Sequence, residues 1–325
     1  MTTKPSSEEL ELQLEQHRTE LTAYAYRMLG SAFEAEDAVQ EAMLRAWRAF
    51  DRFEGRSSVR SWLYRIVANV CFDMLSGSER RARPMELAGP KTADSPFPEP
   101  LAENTWILPI PDGRVVAPDA DPAEVIESRE SIRLAFVAAL QHLPPKQRAV
   151  LILREVLRWR ASEVAELLET SVASVNSALQ RARATLATID VEETEALRPN
   201  DEEQRALLAR YVEAFERYDM DSLTSVLHED ASWSMPPHDF WLRSHDDIRA
   251  WCLGPGIGCR DSRLVPVEAN GSPAFGQYKP APDGSLQPWS LQVIEISEGA
   301  IAGISFFLDT ERLFPLFGLP ARLEP

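Results

Sequence analysis

The stretch SVASVNSALQRARATL, residues 171–186, carries side chains whose types and spacing suit hydrogen bonding to DNA bases. On a helix, Val175, Ala178 and Leu179 fall on one apolar stripe, because α-helices repeat every 3.6 residues. The opposite stripe has small or amide side chains, which let a helix approach base edges closely. Asn and Gln can pair with adenine, Ser with most bases, and Arg with guanine or phosphate. The candidate DNA-contacting residues are Ser174, Asn176, Ser177, Gln180, Arg181 and Arg183.

A helix-turn-helix is the element that would position these side chains. RASEVAELLETSVASVNSALQRARATL predicts a short helix, a tight turn near residues 169–171 and a second helix with Ser171 as its N-cap. The second helix of such a motif enters the major groove. Two helices are predicted upstream, with Pro145 in the first turn of the second one. A solvent-exposed helix in an all-helical domain remains the alternative explanation of the pattern.

Three further helices are predicted between about residues 8 and 82. LTAYAYRMLG ends at Gly30, a natural helix stop. EAEDAVQEAMLRAWRAF repeats apolar residues at Ala38, Met43, Leu44, Trp47 and Phe50. SVRSWLYRIVANVCFDML is the third helix, and its predicted buried stripe is Trp62, Leu63, Ile66, Val67, Val70 and Leu75.

The acidity of the chain is concentrated outside these helices. The 325 residues have a net charge of −17, and residues 191–325 alone carry 23 acidic and 11 basic side chains. Residues 83–124 are rich in Pro, Asp and Glu, a composition that predicts a linker, although WILPI at 106–110 is an apolar patch that can dock on a neighbouring domain. Only a local basic face matters for nucleic acid, so the global charge does not exclude it.

The compartment is predicted from cysteines and hydropathy. Cys71, Cys252 and Cys259 are the three cysteines, too few and odd in number for a disulfide framework. The N-terminus has no apolar core, and no apolar run approaches the ~20 residues of a membrane helix. We expect a cytoplasmic protein with no membrane contact.

The residues from about 10 to 190 resemble the extracytoplasmic-function (ECF) group of the sigma-70 family of RNA polymerase initiation factors. The region 2 resemblance lies in AYRMLGSAFEAEDAVQEAMLRAWRAFDRFEGRSSVRSWLYRIVANVCFDML. The region 4 resemblance lies in LPPKQRAVLILREVLRWRASEVAELLETSVASVNSALQRARATL, although Ser174 stands where the family often has Thr. The resemblance implies core RNA polymerase and promoter DNA as partners, with region 4 on the −35 duplex and region 2 on the −10 single strand.

The resemblance also assigns roles within region 2. The helix containing EDAVQEAMLRAW would bind the largest polymerase subunit through Asp37, Gln40, Glu41 and Arg45. The third helix and the loop before it would open the −10 element and capture a flipped base, which requires hydrogen bonds, a pocket and positive charge. The candidates for that capture are Ser58, Arg60, Trp62, Arg65 and Asn69. Trp62 can instead be a core residue, whereas an amide inside a helix, as at Asn69, is disfavoured without a partner.

Residues 201–325 resemble a SnoaL-like, ketosteroid-isomerase-like cone, in which helices wrap a curved sheet around a pocket. ANGSPAFGQY and FFLDTERLFPLFGLPARL carry this looser resemblance. Helices followed by short strands predict an α+β fold with a curled antiparallel sheet. Aromatic residues there either fill the interior or line a pocket for a small-molecule ligand, and the pocket candidates are Trp233, Trp241, Tyr278, Trp289 and Phe306.

Catalysis is not expected in this region. Enzymes of this fold set an acidic base against an oxyanion donor. Asp230, His238, Asp239, His245 and Asp246 offer no spacing that identifies such a pair. The spacing of the histidines and cysteines does not match known zinc patterns, so we expect neither metal nor cofactor.

The predicted organisation is therefore multidomain, with two all-α sigma domains and an α+β cone. The boundaries are 8–82 for region 2, 83–124 for the linker, 125–190 for region 4 and 201–325 for the SnoaL-like domain. The predicted function is an ECF-type sigma factor, not an enzyme, whose acidic C-terminal domain modulates activity. Two alternatives remain at this point: a stand-alone helix-turn-helix regulator, and a fused isomerase-like enzyme with a vestigial sigma half.

Overall fold

The computed structural model describes residues 7–53, 55, 57–117, 121–189, 194–198 and 201–324. Two compact units are present: a helical unit (Met1–Arg81 with Ile107–Val191) and a sheet unit (Ala82–Trp106 with Glu192–Pro325). No helix in the described part of the chain is long and apolar enough to cross a membrane. The helices in chain order are α1 (Ser7–Leu29), α2 (Ala32–Ala49), α3 (Val59–Leu75), α4 (Pro84–Leu87), α5 (Pro122–Glu130), α6 (Leu134–Gln141), α7 (Pro145–Leu151), α8 (Ala161–Leu167), α9 (Val172–Leu186), α10 (Glu202–Arg217), α11 (Met220–Thr224), α12 (His245–Leu253) and α13 (Thr310–Leu316).

The first three helices of the helical unit form a bundle around small and aromatic side chains. Gly30 ends α1 with φ +72°, a left-handed conformation that favours glycine, and Ser31 caps α2 by accepting a hydrogen bond from the Glu34 amide. The predicted helix stop is therefore confirmed. The buried stripe of α3 is narrower than expected, because Trp62, Ile66 and Leu75 are only half-buried. The core of the bundle is Leu21, Tyr24, Met28, Leu29, Ala35, Ala38, Val39, Ala42, Leu63, Tyr64, Val67 and Cys71.

The second half of the helical unit is fastened to α1 by buried arginines. Arg148, 4% exposed, donates to the backbone carbonyl of Met28 and to the Gln141 side chain (2.6 Å). The Arg27 guanidinium donates to the Ser131 hydroxyl at 2.6 Å. Burial lowers the pKa of both guanidinium groups to about 10, so both remain charged at neutral pH. A buried cation without a partner is costly, and these bonds supply the partners.

The sheet unit contains one six-stranded sheet. Its strands are β1 (Leu227–Ser234), β2 (Trp241–Arg243), β3 (Arg263–Ala269), β4 (Ser272–Pro280), β5 (Leu286–Ser297) and β6 (Ala300–Phe307). They lie in the order β2-β1-β6-β5-β4-β3. The antiparallel prediction is wrong for one pair, since β1 and β6 run parallel. Strand β2, which spans only three residues, and helices α4 and α13 were not predicted.

The concave face of this sheet and the helices α10 to α12 enclose the core of the unit. Tyr211 and Phe215 of α10 pack with Phe275 of β4, and Trp233 of β1 stacks on Phe306 of β6 with ring centroids 4.5 Å apart. The periodicity of two along each strand sends alternate side chains to this face.

The segment between the two sigma regions is not a free linker. Residues 82–106, called here the linker segment, belong to the sheet unit, while Ile107, Leu108 and Ile110 are buried in the helical unit. The linker amides of Lys91 and Leu101 donate to the carbonyls of Trp241 (2.8 Å) and Pro237 (2.9 Å). Composition alone missed this, because backbone hydrogen bonds help to fasten a segment whose proline and acidic residues are typical of a linker.

Candidate functional site

Helix α9 presents the predicted DNA-contacting side chains on one open face. Val175, Ala178, Leu179 and Ala182 are buried against the rest of the helical unit. All six candidates, Ser174, Asn176, Ser177, Gln180, Arg181 and Arg183, are exposed. The side chains that can bond to bases are therefore accessible on a helix held by its opposite stripe.

The turn before α9 sets the orientation of this face. The Ser171 hydroxyl accepts a hydrogen bond from the Ser174 amide at 3.1 Å, which confirms the predicted N-cap. Glu169 takes the left-handed conformation, φ 51°, and this allows the sharp reversal from α8. Arg183 pairs with Glu155 at 2.7 Å, and both side chains are largely exposed, so this ion pair is weak and exchangeable.

Helix α3 carries the five candidates for single-strand capture, but they do not form one open face. Ser58 caps the helix by accepting from the Ser61 amide at 3.1 Å. Asn69 is exposed. Trp62 is half-buried and packs on Phe53, with ring centroids 4.9 Å apart.

Arg60 and Arg65, by contrast, are engaged inside the helical unit. Arg60 makes a two-pronged ion pair with Glu20 (2.6 and 2.8 Å) and lies over the rings of Tyr64 and Trp159, each centroid 5.3 Å away. Arg65 donates to the backbone carbonyl of Glu166 at 3.3 Å. Because Trp159 and Glu166 lie in region 4, these two arginines bind region 2 to region 4 in this conformation.

The charge of Glu20 is strongly stabilised by this cluster. Burial alone would raise the pKa of its carboxyl, but hydrogen bonds from His17 and Arg60 outweigh burial and lower it to about 2. Glu20 is therefore ionised at all physiological pH values.

Helix α2 presents a mixed polar and apolar face. Asp37 and Gln40 are exposed, while Arg45 bonds to Glu41 at 2.8 Å and to Asp73 at 3.2 Å.

Of the apolar residues that repeat in this helix, Ala38, Met43 and Phe50 are buried, as expected of a core stripe, but the core does not include Leu44 and Trp47. They are 45% and 44% exposed, beside the predicted polar face. The core stripe of α2 consists instead of Ala35, Ala38, Val39, Ala42, Met43 and Ala46. This stripe was visible in the sequence as a run of small residues at helical spacing, and it leaves Leu44 and Trp47 on the opposite side.

The sheet unit contains a cavity of about 420 Å³. Of the predicted pocket residues, Trp233, Trp289 and Phe306 line it. Trp289 reaches it through a bulge, where the pairing steps from Gln277–Ser290 to Tyr278–Pro288 and leaves one extra residue.

Trp241 and Tyr278 do not line the cavity, which corrects the prediction for both. Each occupies the face of its strand opposite the core, because strand side chains alternate. The Trp241 indole donates to the Ala88 carbonyl of the linker segment at 2.8 Å. The Tyr278 hydroxyl donates to the Pro320 carbonyl at 2.8 Å, and its ring packs on Phe314.

The polar side chains among the described lining residues include Gln277, His238 and Lys279, and Gln277 is held by a network of amides and hydroxyls behind the wall. The Gln277 carbonyl oxygen accepts from Ser290 (2.8 Å) and Gln292 (3.0 Å), and Gln292 in turn accepts from the Tyr211 hydroxyl at 2.7 Å. Gln277 also donates to Ser262 at 3.1 Å. Among the described residues that line the cavity there is no Asp or Glu.

The candidate acid and base residues are dispersed. His238 lines the cavity, and its ring nitrogen Nδ1 lies 2.7 Å from the Pro98 carbonyl. Asp230 instead pairs with Arg243 at 3.3 Å, and His245 bonds to the His228 carbonyl at 3.0 Å. Asp239 and Asp246 do not line the cavity either. The described part of the chain has no group of three or more His, Cys, Asp or Glu side chains arranged to hold a metal ion.

Comparison with known proteins gives the same three parts. The Sigma-70 region 2 model matches residues 14–81, the Sigma-70 region 4 model matches residues 133–186, and the SnoaL-like domain model matches residues 208–303.

The similar full-length proteins include two from Mycobacterium tuberculosis. The ECF RNA polymerase sigma factor SigG is 45% identical over 314 residues, covering 95% of this chain and 83% of that protein. The ECF RNA polymerase sigma factor SigJ is 29% identical over 305 residues, covering 88% of each. The crystal structure of SigJ superposes with a TM-score of 0.60 at 23% identity, covering 97% of this chain and 99% of that one, which shows a shared fold.

Proposed function

Since the chain belongs to the ECF group of sigma-70 family RNA polymerase sigma factors, we propose a binding role for each of three helices. Helix α9 binds duplex DNA, helix α3 binds single-stranded DNA, and helix α2 binds the polymerase. Proteins of this group bind core RNA polymerase and promoter DNA, and this chain carries both sigma regions. A stand-alone helix-turn-helix regulator would not need region 2, and the fused-enzyme alternative would leave the two sigma regions without a use.

The exposed polar face of α9 is the observation that carries the proposal for the −35 duplex. Gln180 and Asn176 read adenine edges, Ser174 and Ser177 add shorter contacts, and Arg181 and Arg183 meet the phosphates. On DNA, the Arg183 side chain leaves Glu155, with which it forms a weak ion pair, and binds a phosphate. The test is transcription by core polymerase with the Asn176→Ala chain on a promoter selected from genomic fragments. We expect Asn176→Ala to lower initiation. The control is Gln287→Ala, a substitution at an exposed residue of the sheet unit. An equal loss of initiation with both variants would contradict the assignment.

The α3 candidates act on the −10 single strand after a rearrangement. The Asn69 side chain is exposed without any rearrangement, and it bonds to the edge of a flipped base. Ser58 and Trp62 lie toward the other end of the helix. Arg60 and Arg65 reach the strand only when they leave Glu20 and Glu166, so promoter opening requires that regions 2 and 4 separate locally. The Glu20→Gln substitution removes the ion pair with Arg60. We expect this substitution to increase the part of the affinity for single-stranded DNA that depends on Arg60.

The face of α2 binds the polymerase. Asp37, Gln40, Glu41 and Arg45 supply the polar contacts, and the exposed Leu44 and Trp47 side chains supply apolar area. Tryptophan and arginine are common at the energetic centre of interfaces, and a desolvated tryptophan at the centre of a polar rim is typical of a strong protein interface. Binding of core polymerase by the Trp47→Ala chain tests this assignment.

The sheet unit modulates initiation by holding the linker segment. Residues 191–325 carry 23 acidic against 11 basic side chains, so this part of the chain repels DNA or competes with it for a basic face. The segment it holds joins regions 2 and 4 along the chain. A chain ending at residue 189 therefore has both sigma regions but a released linker segment. We expect its transcription to differ from that of the full chain, and equal transcription would contradict this role.

The cavity in the sheet unit binds rather than catalyses. The described residues that line it include no Asp or Glu, whereas isomerases of this fold set an acidic base against an oxyanion donor. Promoter DNA and polymerase place the activity of the chain in the cytoplasm.

A further inference from the structure

The cavity of the sheet unit is largely apolar, and Lys279 is the one Lys or Arg among the described residues that line it. Its size, about 420 Å³, lies in the range of small-molecule sites. Trp233 and Phe306, which both line it, stack on each other at 23° and form an aromatic part of the wall. Of the polar side chains there, Gln277 has its hydrogen bonds satisfied by Ser290, Gln292 and Ser262.

Lys279 is the side chain that distinguishes this cavity from an ordinary core void. Its ammonium lies 3.1 Å from the centroid of the Trp289 ring, and no carboxylate of a described residue pairs with it. The Lys279 side chain is half-buried, and this burial lowers the pKa of its ammonium. A partly desolvated cation next to an aromatic wall is stabilised by an anion, and a carboxylate provides one.

Phe97 of the linker segment also lines the cavity. It packs on His238, Phe240 and Trp251, with ring centroids 4.4, 5.2 and 5.8 Å away, yet it remains 44% exposed. The next residue, Pro98, accepts the hydrogen bond of the His238 ring. The linker segment is therefore part of the cavity wall, at its mouth.

We propose that this cavity binds a flat, largely apolar carboxylic acid, whose carboxylate pairs with Lys279 and whose ring contacts Phe97, so that binding fastens the linker segment to the sheet unit. A ligand that touches both walls binds the docked linker more tightly than the released one. Ligand binding then stabilises the docked state by mass action. The class of ligand follows from the aromatic lining, the volume and the Lys279 ammonium.

Binding is tested by calorimetry on the full chain with two acids, 2-naphthoate and biphenyl-4-carboxylate, and with their neutral amides. At least one acid should bind at least about tenfold more tightly than its amide, the amount that one charge-assisted contact of about 1.5 kcal/mol provides. Lys279→Met should abolish this difference and leave amide binding within twofold. Lys146→Met, exposed in the helical unit, should change nothing. No binding of either acid below 1 mM, or equal binding of acid and amide (on the order of a twofold difference or less), would overturn the proposal.

Coupling is tested by hydrogen exchange at the Lys91 and Leu101 amides, which bond to Trp241 and Pro237. At a ligand concentration of 100 times Kd, exchange should slow by up to about 100-fold. The Phe97→Ala chain should exchange faster without ligand and gain less protection with it. Unchanged or faster exchange in the wild-type chain on binding would overturn the coupling. Neither measurement involves polymerase, so both can fail while the modulating role of the sheet unit stands.

Discussion

The ion pair between Arg83 and Glu295 gives the most exact prediction about the linker segment. The two side chains are 10% and 4% exposed, and their Nη2 and Oε2 atoms are 2.5 Å apart. Arg83 lies at the start of the linker segment and Glu295 in strand β5. Replacing Arg83 by Met leaves the Glu295 carboxylate buried without its cation.

The cost of this replacement can be worked out from burial. Removing one partner of a buried ion pair costs about 3–5 kcal/mol, most of it the penalty of an uncompensated charge. Glu295 regains water if the linker segment leaves, so the cost appears as release of that segment rather than as unfolding of the sheet. A loss of 3 kcal/mol corresponds to a population change of about 100-fold. We therefore expect the linker amides of Arg83→Met to exchange about 100-fold faster than those of the wild-type chain.

The assay is hydrogen exchange with mass spectrometry on the full chain, following peptides from the linker segment and from β5. The Arg83→Met/Glu295→Met chain should recover most of the protection, since apolar replacement of both partners is often neutral. The control Arg322→Met removes an exposed ion pair with Glu324. Its free energy of linker release should stay within about 0.5 kcal/mol of the wild-type value. Linker exchange in Arg83→Met that stays within about threefold of wild type, a difference of about 0.6 kcal/mol, would show that this ion pair does not hold the linker segment.

Three further predictions concern the helical unit. Glu20→Gln should destabilise the unit by about 2 kcal/mol at pH 7. Because the folded pKa of Glu20 is lowered from 4.5 to about 2, this contribution is present above pH 4.5 and disappears as the pH falls toward 2, which denaturant unfolding at pH 7 and pH 3 will measure. The Leu44→Ala/Trp47→Ala chain should bind core polymerase at least about tenfold more weakly, while its unfolding free energy stays within about 0.5 kcal/mol of wild type; a large loss of stability would mean that the side chains are structural. On promoter DNA, Gln180→Ala should lose about 1–3 kcal/mol of discrimination at one base pair, whereas Arg181→Ala should weaken binding to all sequences and lower the salt slope by about 1.

The helical elements could be predicted because their signals are local. The Ser171 cap, the Gly30 stop and the α9 stripe each depend on residues within one or two turns, and all three are as predicted. The exposure of Trp47 was predictable in principle from the alanine stripe of α2, but a large aromatic in an apolar repeat favours the core assignment when only hydropathy is considered.

The strand pairing and the docked linker segment of the sheet unit could not be predicted from the sequence. The parallel pairing of β1 with β6 and the docking of the linker segment join residues far apart in the chain, so no local pattern encodes them. The distinction between Trp233, which lines the cavity, and Trp241, which does not, depends on which strand face meets the core. The engagement of Arg60 by Glu20 and Trp159 likewise requires the tertiary arrangement.

Run-off transcription measures directly whether the chain is a sigma factor that captures a base through α3. Core RNA polymerase would be combined with the full chain, with the Asn69→Ala chain and with the Gln287→Ala control on a promoter selected from genomic fragments. We expect initiation that depends on the chain and a loss of at least about tenfold with Asn69→Ala, as for one base-edge contact of about 1–3 kcal/mol. The control should show no loss. Equal initiation by the Asn69→Ala and wild-type chains would contradict single-strand capture by α3.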